Sequence, residues 1–291
     1  MSKYLQFVLV ILYAVMTITA IFIFCSLFGW LNSSPHTDRI FILVQLGWLC
    51  FCFSAAWFIP DILMLFRPVR RPILEEELWL EKCLSTLRER TGQTKKYRLR
   101  IEEEMSINAY ATGHHTIVVS KGSLAELTQE ELTAVIAHEM GHLTSRDGIA
   151  IMAYVCATYV PRQLSFILKL LIKFIAAIGI AGGLVGLIFL ALLFAWFHLF
   201  LYLLSAIALV LLIGVLERIF RYLWLLNSRY MEYRQDAFAH QLGFGSELRI
   251  SLLKIIGNTP QKVSFFDMLA SSHPIIHNRI RRLEKLTGLR P

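Results

Sequence analysis

The stretch that decides the fold is residues 138–142, which read His-Glu-Met-Gly-His. Positions four apart on an α-helix share one face about 6 Å apart along the axis, so His138 and His142 can direct imidazole nitrogens at one metal ion. Glu139 follows the first of these candidate ligands, where its carboxylate can take a proton from a metal-activated water. The pentapeptide therefore predicts a metal-dependent hydrolytic site on a helix.

The residues around this motif predict the helix that carries it. Thr128 and Glu131 have the spacing of a capping box at a helix start. Gly141 would let another element approach the ligands. The apolar residues recur at helical spacing: Leu132, Val135, Ile136 and Leu143. The alternative is a surface helix whose two histidines are solvated or satisfy a buried hydrogen bond. The capped start and the glutamate placed as a base disfavour that alternative.

The composition indicates a membrane protein. The chain is 56% hydrophobic and 17% charged, with a mean hydropathy of +0.57, which is more apolar than a wetted surface normally allows. The net charge is +8, but the arginines lie beside apolar runs, which favours an orienting role at lipid headgroups. No nucleic-acid-binding motif is present, so we expect no nucleic-acid partner. The five cysteines are best explained as small buried hydrophobic residues.

Two apolar runs in the first part of the chain predict membrane spans. Residues 4–31 hold no charge and exceed the roughly 20 residues that cross a bilayer. Residues 40–66 form a second run, interrupted only near its end by Pro60-Asp61. A positive cluster follows: Arg67, Arg70 and Arg71. By the positive-inside rule, this cluster places the chain start and everything after residue 67 in the cytoplasm.

A second apolar region predicts a membrane hairpin. Residues 174–216 are almost free of charge, too long for one span, and suited to two spans with a tight turn near residues 196–198. Lys169 and Lys173 would reach the cytoplasmic boundary on entry. The soluble part of the chain is therefore expected to be interrupted by this hairpin.

The soluble segments predict a helix and a small sheet. An amphipathic helix should start near Leu74 and end by Gly92, with an apolar face made by Leu74, Leu78, Leu84 and Leu87. Residues 97–101 alternate as a strand does, and residues 107–111 and 116–120 predict a hairpin around Thr-Gly-His-His. These two histidines, His114 and His115, have no assigned role, and we interpret them as solvated or structural.

A catalytic zinc site needs a third protein ligand. Glu232 and Asp236 lie one helical turn apart after the last predicted span, so they can share a helix face. We infer Glu232 as the third ligand and Asp236 as the group that orients a ligand imidazole. The alternative is that both acids pair with Arg229 or Arg234 in water, and the spacing alone does not decide between the two.

These segments together resemble the HtpX family of membrane zinc endopeptidases, relatives of the CAAX prenyl proteases. The resemblance runs over about residues 1–285 and rests on five stretches: 138–142, 232–237, 107–113, 272–274 and Arg279-Ile280. It implies a mainly α fold with a small β-sheet, in which four transmembrane helices accompany a gluzincin-like zinc protease domain split by a membrane hairpin. The expected divisions are two transmembrane helices (1–66), the first protease segment (67–163), the membrane hairpin (164–221) and the second protease segment (222–291).

The resemblance also implies roles for the site residues. One Zn²⁺ per chain would be held by His138, His142 and Glu232. Glu139 would be the catalytic base, and Asp236 would orient a ligand imidazole.

Two further roles follow from the resemblance alone. The strand Asn108-Ala109-Tyr110-Ala111 resembles an edge strand along which substrate backbone is laid, and an ordinary hairpin strand is compatible with this role. His273 resembles a catalytic residue that stabilises the oxyanion. The alternative for His273 is a helix-start residue before Pro274.

The expected function is peptide-bond hydrolysis in misfolded or damaged membrane proteins, at the cytoplasmic face of a bacterial inner (plasma) membrane, as quality control under stress. The partners would be polypeptide substrates and the lipid bilayer, and the sequence leaves the oligomeric state open. Two rivals are a processing peptidase for a defined prenylated or membrane-anchored substrate and a catalytically silent membrane scaffold. An intramembrane site is disfavoured by charges beside the motif, including Glu130, Glu131, Arg146 and Asp147.

Overall fold

The protein is mainly helical, with one small mixed sheet. A computed structural model describes residues 4–27, 35–183, 185–186, 188, 191–192, 197–258 and 276–288. The helices are α1 Leu5–Leu27, α2 Pro35–Met64, α3 Leu74–Thr91, α4 Lys121–Glu126, α5 Gln129–Ser145, α6 Asp147–Ala181, α7 Phe197–Gln241, α8 Gly245–Asn258 and α9 Ile276–Thr287. The strands are β1 Val69–Arg70, β2 Arg98–Glu102, β3 Ala109–Thr112 and β4 Thr116–Ser120.

The sheet has the strand order β1-β2-β4-β3. β1 pairs antiparallel with β2, β2 pairs parallel with β4, and β4 pairs antiparallel with β3. The predicted hairpin is confirmed, with Tyr110 opposite Val118 in the register. The short strand β1 was not predicted. β4 is buried along its whole length, whereas β3 is half-buried at the edge of the sheet.

The chain divides into two compact units, and the first comprises residues 1–6, 55–152 and 224–291. Its core packs α3, the sheet, α5 and α8 around side chains such as Leu84, Leu87, Ile101, Ile117, Leu132 and Ile136. The predicted apolar face of α3 is only half right. Leu84 and Leu87 are buried, but Leu74 and Leu78 are exposed. Leu80 and Cys83 complete the buried face instead, at the i, i+3, i+4, i+7 spacing of a helix.

Helix α5 begins as predicted. The Thr128 hydroxyl accepts from the Glu131 amide at 3.3 Å, and the Glu131 carboxylate accepts from the Thr128 amide at 2.8 Å. The helix ends at a residue in the left-handed region, Arg146 with φ 59°, whose amide bonds back to the carbonyl of His142. This reversal starts α6 at Asp147, directly beside the last turn of α5.

The second unit comprises residues 7–54 and 153–223. Within it, Tyr13 packs edge-on against Phe220 with ring centroids 5.2 Å apart, and Ala20, Leu209 and Ile213 form a small buried cluster. Many of its large apolar side chains are exposed, as expected for surfaces that face lipid: Ile40, Leu43, Phe51, Phe166, Phe174 and Leu211 are examples. The five cysteines of the chain are free, but the prediction that they are buried holds only for Cys52 and Cys83, since Cys50 is exposed and Cys25 and Cys156 are partly buried.

Three helical segments are long and apolar enough to cross a membrane: Leu5–Ile23, His36–Met64 and Leu203–Gln241. They support a multi-pass membrane protein. Among the described residues no fourth candidate is found, and α6, which ends at Ala181, is not one of the three. Residues 184, 187, 189–190 and 193–196, including the first residue of the predicted turn, lie outside the described residues.

Candidate metal centre and active site

Helices α5 and α7 approach each other closely at Gly141. A Cβ atom at this position would lie 2.5 Å from the side-chain oxygen of Gln235 and 3.2 Å from a ring carbon of Phe238. A larger residue would therefore displace the Gln235 side chain. The close approach sets Glu232, one turn before Gln235 on α7, opposite the two histidines of α5.

The three predicted ligands converge. The Nε2 atoms of His138 and His142 lie 3.3 Å apart. Glu232 places Oε2 at 3.4 Å from Nε2 of His138 and Oε1 at 3.6 Å from Nε2 of His142. One ligand atom from each residue lies within 4.8 Å of the others. The structure thus brings together residues that are about ninety positions apart in the chain.

The hydrogen bonds behind the histidines show that this set fits a cation. Nδ1 of His138 lies 3.0 Å from Oδ1 of Asp236, and Nδ1 of His142 lies 2.9 Å from Oδ2 of Asp147. Since carboxylates accept, each Nδ1 carries a proton and each ring directs its Nε2 toward Glu232. The two Nε2 atoms and the Glu232 carboxylate form a set that attracts a cation, and two imidazoles with one carboxylate suit zinc.

Asp236 is fixed by Arg279 of α9. The guanidinium donates to both carboxylate oxygens, from Nε at 2.9 Å and from Nη2 at 2.6 Å. Nη1 also lies 3.1 Å from Oε2 of Glu232. Burial would raise the pKa of Asp236, but Arg279 and His138 hold it below its usual value. The carboxylate therefore stays ionised behind the imidazole, and Arg234, one of the partners that the alternative supposed, pairs with Asp147 instead.

The negative groups of the site dominate at His138. Burial and the charge of Arg279 lower the pKa of this imidazole, but Asp236 and Glu232 outweigh both and raise it to about 9. The same two carboxylates that attract a proton to the ring favour a divalent cation at its Nε2.

Asp147 is a candidate site residue that the sequence analysis missed. Its fully buried carboxylate accepts from Gln6 at 3.0 Å, from Arg234 at 2.7 Å and from Gln235 at 2.7 Å, besides contacting His142. Burial would raise the pKa of Asp147, but the opposing effects of His142 and Arg234 are larger together, so its pKa lies below the usual value. The sequence signal that could have identified it is its position: an acidic residue that follows the end of the zinc-motif helix, five residues after His142.

Glu139 lies in the same cleft as the ligands. Its Oε2 accepts a hydrogen bond from the Ala111 amide of β3 at 2.7 Å. The cleft measures about 550 Å³ and is lined by β3, the ligand residues and apolar side chains of α8 and α9. The predicted substrate strand, Asn108 to Ala111, forms one of its walls. A carboxylate and a candidate metal centre thus face one cavity large enough for a peptide segment.

The main chain of β3 alternates between the sheet and the cleft. The Asn108 carbonyl accepts from the Ser120 amide at 2.9 Å. In an antiparallel pair every second residue bonds to the neighbouring strand, so the main-chain groups of Tyr110 and Thr112 also face β4. Ala109 and Ala111 therefore direct their amides and carbonyls away from β4, and among the described residues no strand pairs with that edge. His273, the remaining predicted site residue, lies outside the described residues, so its role stays a prediction.

Comparison with known proteins identifies the class to which this fold and site belong. Residues 75–287 match Peptidase family M48, and the chain belongs to that family of zinc-dependent metallopeptidases. The resemblance to the HtpX proteases is confirmed. A protease HtpX homologue of Neisseria meningitidis serogroup C (strain 053442) is 30% identical over 231 residues, which are 74% of this chain and 75% of that protein. Protease HtpX of Histophilus somni (strain 2336) is 26% identical over 242 residues, 76% of each chain.

A solved structure shares the fold. The crystal structure of S. mikatae Ste24p superposes with a TM-score of 0.51 at 20% sequence identity. The match covers 91% of this chain and 61% of that chain, so this protein spans less than two thirds of its structural neighbour. Together the comparisons and the apolar helices show a membrane metalloprotease of the M48 family.

Proposed function

We propose that this chain is a zinc endopeptidase that hydrolyses misfolded or damaged membrane and membrane-associated proteins at the cytoplasmic face of a bacterial inner membrane. One observation carries the proposal. The Glu139 carboxylate and the His138–His142–Glu232 set open into one cleft beside the unpaired edge of β3 in the described structure. A nucleophile-generating centre and a surface for extended peptide are thus adjacent.

The ligand residues would hold Zn²⁺, which supplies Lewis-acid polarisation of the scissile carbonyl and lowers the pKa of water. Glu139 takes the proton from the attacking water and passes it to the leaving amine. The Ala111 amide, 2.7 Å from this carboxylate, holds Glu139 in the cleft. Asp236 and Asp147 fix the two imidazole rings so that their Nε2 atoms face inward. His273 is proposed as a further donor to the developing oxyanion.

The substrate would add to β3 as an extended strand. The amide and carbonyl of Ala109 and the carbonyl of Ala111 face the cleft and can bond to a peptide backbone, whereas the Ala111 amide already bonds to Glu139. Backbone pairing of this kind depends on few substrate side chains. The side chains of Ala109 and Ala111 are small, which leaves room for varied substrate residues. Broad selectivity of this kind suits a quality-control protease better than a peptidase for one sequence.

The proposed topology has four membrane helices, with the protease domain formed by residues 67–163 and 222–291 and interrupted by the hairpin 164–221. The boundary after α2 supports it, because Leu65 and Phe66 are 81% and 82% exposed directly before the arginine cluster. Exposed apolar side chains at the end of α2 favour contact with lipid, and the arginines that follow favour anionic headgroups on the cytoplasmic side.

The test compares membrane proteomes from cells that make the wild-type chain or Glu139→Gln, with Glu130→Gln as the matched control. Glu130 is exposed on the same helix, away from the cleft. Fragments of many membrane proteins should appear with wild type and Glu130→Gln and be absent with Glu139→Gln. Cleavage of one defined protein would favour the processing peptidase. Equal fragment patterns in all three would contradict peptidase activity and favour the silent scaffold.

A further inference from the structure

A second cluster of possible metal ligands lies at the turn of the β3–β4 hairpin. It comprises Asp61 of α2 with His114 and His115 of the turn, all within the first unit. One ligand atom from each residue lies within 4.8 Å of the others. These residues belong to no part of the candidate active site described above. The two histidines, which were expected to be solvated or structural, are both partly buried.

The two imidazoles have an unsatisfied hydrogen-bonding group each. Nδ1 of His114 and Nδ1 of His115 are shielded from solvent, and neither has a hydrogen-bond partner in the described part of the chain. A buried polar nitrogen without a partner costs free energy, and two adjacent ones are unusual in a folded protein. Coordination of a metal ion satisfies such a nitrogen as a hydrogen bond would.

The rings are held in place by their surroundings. His114 stacks on Trp57 with ring centroids 4.5 Å apart and planes 15° apart. Trp57 lies one helical turn before Asp61 on α2, so the stacking platform and the carboxylate share a helix face. The turn also lies close to α2, since a Cβ on Gly113 would be 3.6 Å from Oδ1 of Asp61. The donors are thus positioned by packing before any ion binds, which lowers the entropic cost of binding.

Basic groups surround the cluster. Lys95 donates to the His114 carbonyl at 2.9 Å, and the amide of Arg98, the first residue of β2, donates to the His115 carbonyl at 2.7 Å. These basic neighbours weaken the attraction for hard cations that bind by charge alone.

We propose that Asp61, His114 and His115 form a second binding site for a divalent transition-metal ion of the zinc class, separate from the candidate catalytic centre. Two imidazoles and one carboxylate suit Zn²⁺ and leave a position for water. The bound ion fastens the hairpin turn to the end of α2. Since β3 runs directly into this turn, the ion also steadies the strand that lines the cleft. The inference does not depend on the proposed proteolytic function.

The test counts bound Zn²⁺ on the full chain in detergent, by calorimetric titration after chelator treatment. The parent is Glu139→Gln, which prevents self-digestion. The double variant His114→Ala/His115→Ala should bind one equivalent fewer than the parent. His36→Ala, which removes an exposed histidine elsewhere on α2, should bind as many as the parent. Equal stoichiometry in the parent and the double variant would overturn the proposal.

A gentler substitution covers the case in which the double variant fails to fold. Asp61→Asn keeps the shape of the side chain and removes its charge. Loss of an outer partner of a ligand already costs about 10–100-fold in affinity, so loss of this ligand should weaken one of the two Zn²⁺ equivalents at least about tenfold and leave the other unchanged. If Asp61→Asn binds both equivalents with the parent's affinities, the site is not formed by these residues.

Discussion

Nδ1 of His142 lies 2.9 Å from Oδ2 of Asp147, five residues further along the chain. The contact exists because Arg146, in the left-handed region, ends α5 and turns the chain so that α6 starts with Asp147 beside the last turn. The same carboxylate accepts from Gln6, Arg234 and Gln235. One buried anion therefore fixes a candidate ligand and joins three chain segments of the first unit.

We expect Asp147→Asn to weaken zinc binding by about 10–100-fold, because the amide keeps the shape of the side chain but removes the charge that makes the imidazole a better donor. Competition with a coloured chelator measures the affinity. Excess zinc should restore cleavage, which a merely misfolded variant would not show. Unchanged zinc affinity in Asp147→Asn would mean that the contact does not support the ligand.

Arg279 and Asp236 make a buried ion pair in the site, with two hydrogen bonds of 2.9 Å and 2.6 Å. Arg279→Ala should lower the free energy of unfolding of the first unit by about 3–5 kcal/mol, because it leaves the fully buried Asp236 without its cation. Chemical denaturation in detergent measures the loss. Arg279→Lys should recover only part of it, since an ammonium group cannot reproduce the two-pronged geometry. Full stability of Arg279→Ala would show that another group neutralises Asp236.

The sequence predicted the parts of the site that depend on short-range spacing. The two histidines and Glu139 lie within one turn of a capped helix, and helical geometry alone aligns them. Glu232 needed the resemblance, because spacing left its role open. Arg279 could not be assigned a partner, since it meets Asp236 across 43 positions through tertiary packing. Asp147 was missed because a non-glycine residue, Arg146, takes the left-handed conformation that turns the chain.

The fold, like the site, was predictable where it depends on local sequence patterns. Alternation and turn residues gave the β3–β4 hairpin, but β1 has two residues and leaves no periodic signal. In α3, the apolar residues Leu74 and Leu78 matched the helical period and are nevertheless exposed, because the period does not say which turns of a helix meet the core. Composition identified apolar runs, and three of them are helices long enough to span a membrane.

Removing the metal should reduce both activity and stability. Chelation is expected to abolish cleavage of an unfolded test protein such as casein, because it removes the ion that would activate water in the site. It should also lower the melting temperature, because a ligand at a thousand times its dissociation constant stabilises by about 4 kcal/mol. Added Zn²⁺ should reverse both changes in the wild type but not in Glu232→Gln. Retained activity after complete chelation would contradict a metal-dependent site at His138, His142 and Glu232.

The edge of β3 offers a test of substrate pairing. The amide of Ala109 faces the cleft, whereas the amide of Tyr110 faces β4 in the antiparallel ladder. Ala109→Pro removes a donor that the sheet does not use, and proline is tolerated on the open side of an edge strand. We expect this variant to keep its melting temperature and zinc affinity but to lose about tenfold in kcat/KM, as one backbone hydrogen bond to substrate is worth about 1 kcal/mol or more. Tyr110→Pro is the control: it breaks the ladder and should lower the melting temperature. If Ala109→Pro cleaves casein as fast as the wild type, substrate does not pair with β3 at this position.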